Sequence, residues 1–326
     1  MFSRTFLTNP FVFTGLLLLI FTAVASVYFR YTYLFEYTSL ASTIRPLHRN
    51  SCRLPKINGS NVYSSGHGGP LKIGIIMLYD SPDNSTKAWT DDLLAPLVEN
   101  RQAYCNKHNY TLINANPLMN TSRPAAWSKL IAMDHHFKKD CYDYLMFLDM
   151  DTVIMNPDIR LESFVEASGG KYDIIMTEDD NGLNSGVFLA RNSPWTLWFL
   201  RTAWDQEQLV PPLSATGQRH PFRWEQRAFH YMTNSPTWQA AKLPPFEGYE
   251  AVRNDHFFIL PQCAFNSYIL HPLDFQSHRE SSQYAPGDFL IHFAGKRGDS
   301  KKKLMTHYLE ETQSQQHVGA VHMRRR

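Results

Sequence analysis

A chain of 326 residues is long enough for one large α/β domain, or two smaller ones, beyond any leader. Its formal net charge is only +2, with 32 Lys and Arg against 30 Asp and Glu, which excludes nucleic acid as a partner held by bulk charge. The 7 Trp, 16 Tyr and 21 Phe stock a core and also suit a groove that stacks on rings.

From Thr5 to Phe29 there is no charge, and Phe11 to Phe29 is nearly all apolar. At about 1.5 Å per residue such a helix spans a hydrocarbon core. Residues 1–10 then read as a cytoplasmic tail and 11–29 as a transmembrane signal anchor. The alternative is a cleaved signal peptide ending at Ala23-Val24-Ala25, for which the apolar run is long. Either reading puts the body of the protein in the secretory lumen. Sequons beginning at Asn58, Asn84, Asn109 and Asn120 agree with that. So does an even set of cysteines, Cys52, Cys105, Cys141 and Cys263, compatible with two disulfides of open pairing. Residues 30–70 are polar and aperiodic, close on a Gly-rich stretch, and read as a lumenal stem.

A catalytic-size domain is expected over 71–312. Leu71–Tyr79 reads as a strand and Thr86–His108 as a helix. Tyr110–Asn114 is a second strand, Ala125–Lys139 a second helix and Tyr144–Leu148 a third strand. Strand–helix alternation of this kind predicts right-handed βαβ crossovers and a parallel sheet. Tyr172–Thr177 is a further strand, followed by a polar loop at Leu183–Ser185 that opens into another. Ser193-Pro194 has the order of an N-cap and a first helical residue. Leu209–His220 reads as an irregular loop beside the active site, and Arg223–Met232 as a helix. Phe257–Leu260 and Asp288–His292 are late strands. The sequence from Lys301 is basic and reads as a solvated end, with 313–326 its tail.

Asp149 and Asp151 follow the third strand, where ligands bind in open α/β sheets. Their hard oxygens suit Mn2+ or Mg2+, which would in turn hold substrate phosphates. A D-x-D pair can also merely cap a strand. Asp149-Met150-Asp151-Thr152 further fits the nucleophile motif of haloacid-dehalogenase-like phosphatases, with Asp179 and Asp180 as a magnesium pair. Against that, two strand–helix units precede the motif here.

In this order, FLDMDTVIMNP, LNSGVFLARNSPW, WEQRAFHYM and FLIHFAGK resemble glycosyltransferase family 34, the galactosyltransferase/mannosyltransferase group that includes plant xyloglucan xylosyltransferases. The likeness extends from about Leu71 to Lys296. It implies a GT-A fold, a Rossmann-like nucleotide-sugar-binding sheet, in a single-pass type II Golgi membrane protein. It also implies Mn2+, a UDP-sugar or GDP-mannose donor (UDP-galactose foremost), a glycan or glycoprotein acceptor and retention. An inactive carbohydrate-binding subunit of a transferase complex is the non-enzymatic alternative.

By the same resemblance, His292 joins Asp149 and Asp151 as a metal ligand, although alone it would read as a core histidine. Asn184, Ser185 and Gly186 line the donor-sugar pocket, and Glu225 and Gln226 stand beside the transferred sugar. Gly295 lets the backbone approach the diphosphate, to which Lys296 or Arg297 supplies charge. Lys129 touches the nucleotide; read alone, it is an exposed helix lysine.

Overall fold

Strand β1 (Ile73–Met77) and strand β3 (Tyr144–Leu148) are uninterrupted runs in which every residue is buried. That is the pattern of strands covered on both faces. The computed structural model describes residues 52, 69–79, 91–139, 142–210, 224–234, 244–247, 252, 255–269 and 282–323. The proposed tail and anchor, most of the stem, the sequons at Asn58 and Asn84, Cys141, the loop at 211–220 and Arg324–Arg326 lie outside the described residues. Among those described, no helix is long and apolar enough to cross a membrane.

Between β1 and β3 run helix α1 (Asp91–His108), strand β2 (Thr111–Asn114) and helix α2 (Ser128–Lys139), the last entered through a 3-10 turn at Ala125–Trp127. Both connections carry the predicted helix, and β2, β1 and β3 are mutually parallel. The chain next forms β4 (Thr152–Ile154), α3 (Leu161–Ala167), β5 (Ile174–Asp179) and β6 (Gly182–Arg191). The main sheet has the order β2-β1-β3-β6-β5-β7, where β7 is Phe257–Leu260. Here the expectation of a parallel sheet is corrected. β6 runs antiparallel to both β3 and β5, so the sheet is mixed. The cause is local: only Asp180 and Asn181 separate β5 from β6, and a link that short makes a hairpin, whereas a parallel crossover needs a dozen residues or more. The expected loop at Leu183–Ser185 is correspondingly part of β6, and all three residues are buried.

Ser193 caps helix α4 (Pro194–Trp204) by accepting from the Thr196 amide, with Pro194 leading the helix as predicted. Helices α5 (Gln226–Met232) and α6 (Gln262–Phe265) follow. A smaller sheet joins β4 to β9 (Leu290–His292) and β8 (Ser267–Tyr268). The expected solvated end is instead helix α7 (Gly298–Met323), which buries Met305, Tyr308 and Leu309. Lys302 of α7 pairs with Asp92 of α1 at 2.8 Å.

Alternation along β3 feeds two cores. Leu145 and Phe147 pack with Trp127, Phe188, Phe199 and Phe229, while Tyr144, Met146 and Leu148 pack with Tyr104, Phe164, Phe265 and Phe289. A disulfide joins Cys52 to Cys263 across 211 residues. Cys105 is a free thiol in the second core, and burial pushes its pKa up to about 12. The expectation of two disulfides therefore gives way to one among the described residues.

Candidate active site

The chain leaves β3 at Leu148, and the Asp149 amide still donates to the Gly186 carbonyl of β6 at 2.7 Å. After Met150 and Asp151 it enters the smaller sheet at Thr152. The two carboxylates thus stand on the link between sheets, converging through a turn rather than by sharing one strand face. Arg101 of α1 lies fully buried beneath this link. Its Nη2 donates to the Asp149 carbonyl at 2.7 Å and to Thr152 Oγ1 at 3.1 Å, and Nη1 lies 2.7 Å from Met150 Sδ. Burial lowers its pKa to about 10 against the pull of Asp151 and Asp149, so it stays charged at neutral pH.

His292, at the end of β9, pairs in register with Thr152. Its Nδ1 lies 3.0 Å from Asn266 Oδ1, an oxygen that can only accept, so the ring proton sits on Nδ1. Nε2 is then turned to the carboxylates, 3.4 Å from Asp151 Oδ1 and 4.0 Å from Asp149 Oδ2. Ligand atoms of the three side chains all lie within 4.8 Å of one another, the one such group among the described residues. Two carboxylates with an imidazole oriented by Asn266 fit a hard-to-borderline divalent ion such as Mn2+. Each carboxylate gives its other oxygen to a lysine: Asp149 Oδ1 to Lys129 at 3.2 Å, and Asp151 Oδ2 to Lys301 at 2.5 Å. Burial would raise the Asp151 pKa, but His292 and Lys301 outweigh it and hold the group well below the usual carboxylate range.

β6 forms the wall beside this group. Asn184 Nδ2 donates to Asp179 Oδ2 at 2.8 Å and to the Tyr268 hydroxyl at 2.6 Å, and Asn184 Oδ1 accepts from the Gly186 amide. A Cβ on Gly186 would stand 2.5 Å from His292 Cε1 and 2.6 Å from Asp149 Oδ2. Glycine is required here for room. Asp179, bound by Asn184 and Tyr268, is committed to the hairpin, and Asp180 is exposed at its tip, so the two do not form the magnesium pair of a phosphatase.

Beneath the wall, Lys129 is 2 % exposed, which corrects its reading as an exposed helix lysine. Its Nζ donates to the Ser185 carbonyl at 3.0 Å and pairs with Glu225 Oε1 at 2.7 Å. Burial would lower the Lys129 pKa, but Asp149 and Glu225 outweigh it and raise it. Glu225 is 1 % exposed. Its Oε1 also accepts from Ser185 Oγ at 2.7 Å, while Oε2 is buried without a hydrogen-bond partner. Burial, opposed by Lys129 and reinforced by Asp149, raises the Glu225 pKa. Gln226 Oε1 accepts from the Ser185 amide at 3.1 Å. The structure thus draws Lys129, Asn184, Ser185, Gly186, Glu225 and Gln226 around Asp149, Asp151 and His292.

Gly295, at φ 74°, turns the chain after β9. Lys296 and Arg297 follow, partly buried and exposed respectively, but the residue of this segment that contacts Asp151 is Lys301. Lys301, Asn266, Arg101 and Tyr268 escape a reading of the sequence. None lies in a motif, and each meets its partner across a long stretch of chain.

The chain belongs to the galactosyl transferase GMA12/MNN10 family, whose family model matches residues 72–169 and 162–302. It is 24% identical over 262 residues to the probable alpha-1,2-galactosyltransferase gmh2 of Schizosaccharomyces pombe, covering 69% of this chain and 67% of that one. It is 27% identical over 139 residues to galactomannan galactosyltransferase 1 of Cyamopsis tetragonoloba, covering 40% of this chain and 31% of that relative. Among solved structures it is similar, at 14% identity and a TM-score of 0.47, to a glycosyltransferase involved in glycosylation of the major capsid of PBCV-1. That match covers 72% of this chain and 98% of the other.

Proposed function

We propose that this chain is a single-pass type II Golgi membrane glycosyltransferase of GT-A fold. It moves a hexose or pentose, galactose from UDP-galactose foremost, onto a glycan or glycoprotein acceptor with retention of configuration. The observation that carries the reading is the convergence of Asp149 Oδ2, Asp151 Oδ1 and His292 Nε2 against a strand wall with no room for a side chain at Gly186.

Asp149, Asp151 and His292 would hold Mn2+. When bound, such an ion supplies positive charge that stabilises a departing nucleoside diphosphate. The protein's own groups prepare the site. Asn266 fixes the His292 tautomer, and Lys129 locks Asp149 to Ser185 and Glu225. Gln226 spends its oxygen on the Ser185 amide, which leaves its NH2 to donate to a sugar hydroxyl. Glu225 has one oxygen committed to Lys129 and Ser185, and a second without a partner. That arrangement suits an electrostatic role towards positive charge developing at the anomeric carbon better than a covalent nucleophile. With no further free carboxylate required, a front-face route in which the departing phosphate takes the acceptor proton accounts for retention.

The test is a panel of UDP-galactose, UDP-xylose and GDP-mannose with Mn2+ and saccharide acceptors, followed by product NMR. Release of nucleotide from one donor with an α-linked product from an α-linked donor supports the reading. A β-linked product refutes retention, and hydrolysis of a simple phosphomonoester instead of transfer refutes the transferase.

A further inference from the structure

We infer that Lys301 is a positioning residue that counterweights Asp151, so that the Asp149–Asp151–His292 site takes its divalent cation together with a diphosphate and only poorly before it. The inference rests on the metal-dependent transferase reading and deepens it.

Asp149, Asp151 and Glu225 are contacted by Lys129, by Lys301 and, through the Asp149 carbonyl, by Arg101. Among the described residues, three carboxylates therefore face three cations. Asp179 is turned to Tyr268 and Asn184. A bare divalent ion entering between Asp149 Oδ2 and Asp151 Oδ1 meets a nearly neutral neighbourhood, with ammonium groups on the far oxygens of both its carboxylates. A diphosphate changes the balance, because its negative charge faces the ion and the lysines at once.

Of the two lysines, Lys301 is the separable one. Lys129 is shared among Asp149, Glu225 and the Ser185 carbonyl at the centre of the fold. Lys301 stands in the first turn of α7 with 23% of its side chain exposed, and its neighbour Lys302 ties that turn to Asp92. Removing the Lys301 charge therefore reaches Asp151 from the rim of the site rather than from its buried centre.

Two roles for Lys301 predict opposite signs. If it only holds the Asp151 rotamer, removing it weakens the metal site. If it counterweights Asp151, removing it strengthens binding of the metal alone and weakens the dependence on diphosphate.

The experiment measures Mn2+ affinity of the full chain by loss of the free-ion EPR signal, without nucleotide and with UDP or GDP. It compares wild type, Lys301→Met, Lys301→Arg and Asp151→Asn, with circular dichroism as a check on folding. Wild type should bind Mn2+ at least about tenfold more tightly with nucleoside diphosphate than without. Lys301→Met should bind Mn2+ alone about tenfold more tightly than wild type and lose most of the nucleotide enhancement, as expected when one like charge is removed a few ångströms from the ion. Lys301→Arg, which keeps the charge, should behave as wild type. Unchanged or weaker Mn2+ binding by a folded Lys301→Met overturns the inference while Asp151→Asn still loses the metal. Wild-type binding that Asp151→Asn leaves intact overturns the site assignment, and the inference with it.

Discussion

Gly186→Ala places the smallest possible change at the point where the strand wall touches two of the three proposed metal ligands. The strand backbone at Gly186 is not in the left-handed region, so alanine meets no conformational objection there. The objection is steric: the new methyl would lie 2.5 Å from His292 Cε1, 2.6 Å from Asp149 Oδ2 and 3.1 Å from Asn184 Oδ1. Ordinary contact requires His292 and Asp149 each to retreat by roughly 1 Å. Neither is free to do so. His292 is held by Asn266 and by its pairing with Thr152, and Asp149 by Lys129 and by the Gly186 carbonyl itself. Overpacking of this kind costs about 1–3 kcal/mol. For a domain of this size that is a fall in melting temperature of roughly 2–4 °C per kcal/mol. The larger consequence is for the ion. Nε2 and Asp149 Oδ2 already stand 4.0 Å apart, and driving both outward opens the gap they must share. Mn2+ affinity should fall by about 10–100-fold, as it does when ligand orientation is lost. Calorimetric titration with Mn2+ and nucleoside diphosphate, beside a thermal melt, reads both effects. A Gly186→Ala protein that binds Mn2+ and melts as wild type would show that the wall does not press on the ligands.

Asn266→Ala removes the acceptor that fixes the His292 tautomer and should weaken Mn2+ binding by about 10–100-fold, measured by the same titration; unaltered affinity would remove Asn266 from the site. Lys129→Met leaves Glu225 and Asp149 facing each other with no cation between them and should cost about 3–5 kcal/mol in urea unfolding, whereas a loss under 1 kcal/mol would mean that the buried pair is dispensable. Asp173 tests pH dependence away from the site. Burial would raise its pKa, but Ser193, His256 and Arg191 outweigh burial and lower it. Its stabilisation is therefore present above the ordinary aspartate value of about 3.9 and is lost as pH falls through the depressed folded value. Asp173→Asn should reduce stability at neutral pH and flatten the loss in acid; parallel stability–pH curves for the two proteins would contradict this.

The sheet was legible where chemistry repeats along the chain. β1 and β3 announce themselves as apolar runs because both of their faces are covered, and Ser193-Pro194 announces α4 because capping is local. The β5–β6 hairpin carries a local signal too, Asn181-Gly182 between two apolar segments, with Gly182 at φ 98°. Reading Asn184 and Ser185 as loop overrides that signal. They are polar yet buried, because Asp179, Tyr268, Glu225 and Gln226 satisfy them from elsewhere in the fold. At the site, Asp149, Asp151 and His292 are recognisable by residue type and motif. The groups that orient them are not: Asn266 and Lys301 reach His292 and Asp151 across 26 and 150 residues, and Arg101 reaches the Asp149 carbonyl across 48. Such contacts are decided by packing of α1, α6 and α7 against the sheets, which leaves no local pattern in the chain.

If Asp149, Asp151 and His292 serve nucleotide-sugar transfer, release of UDP from UDP-galactose in the presence of an acceptor must depend on the ion they hold. The full chain should release UDP with Mn2+, fall to background in EDTA and recover when Mn2+ is restored. Asp149→Asn, with its fold intact by circular dichroism, should remain near background throughout. Undiminished release in EDTA, or by Asp149→Asn, would exclude that role for the three residues.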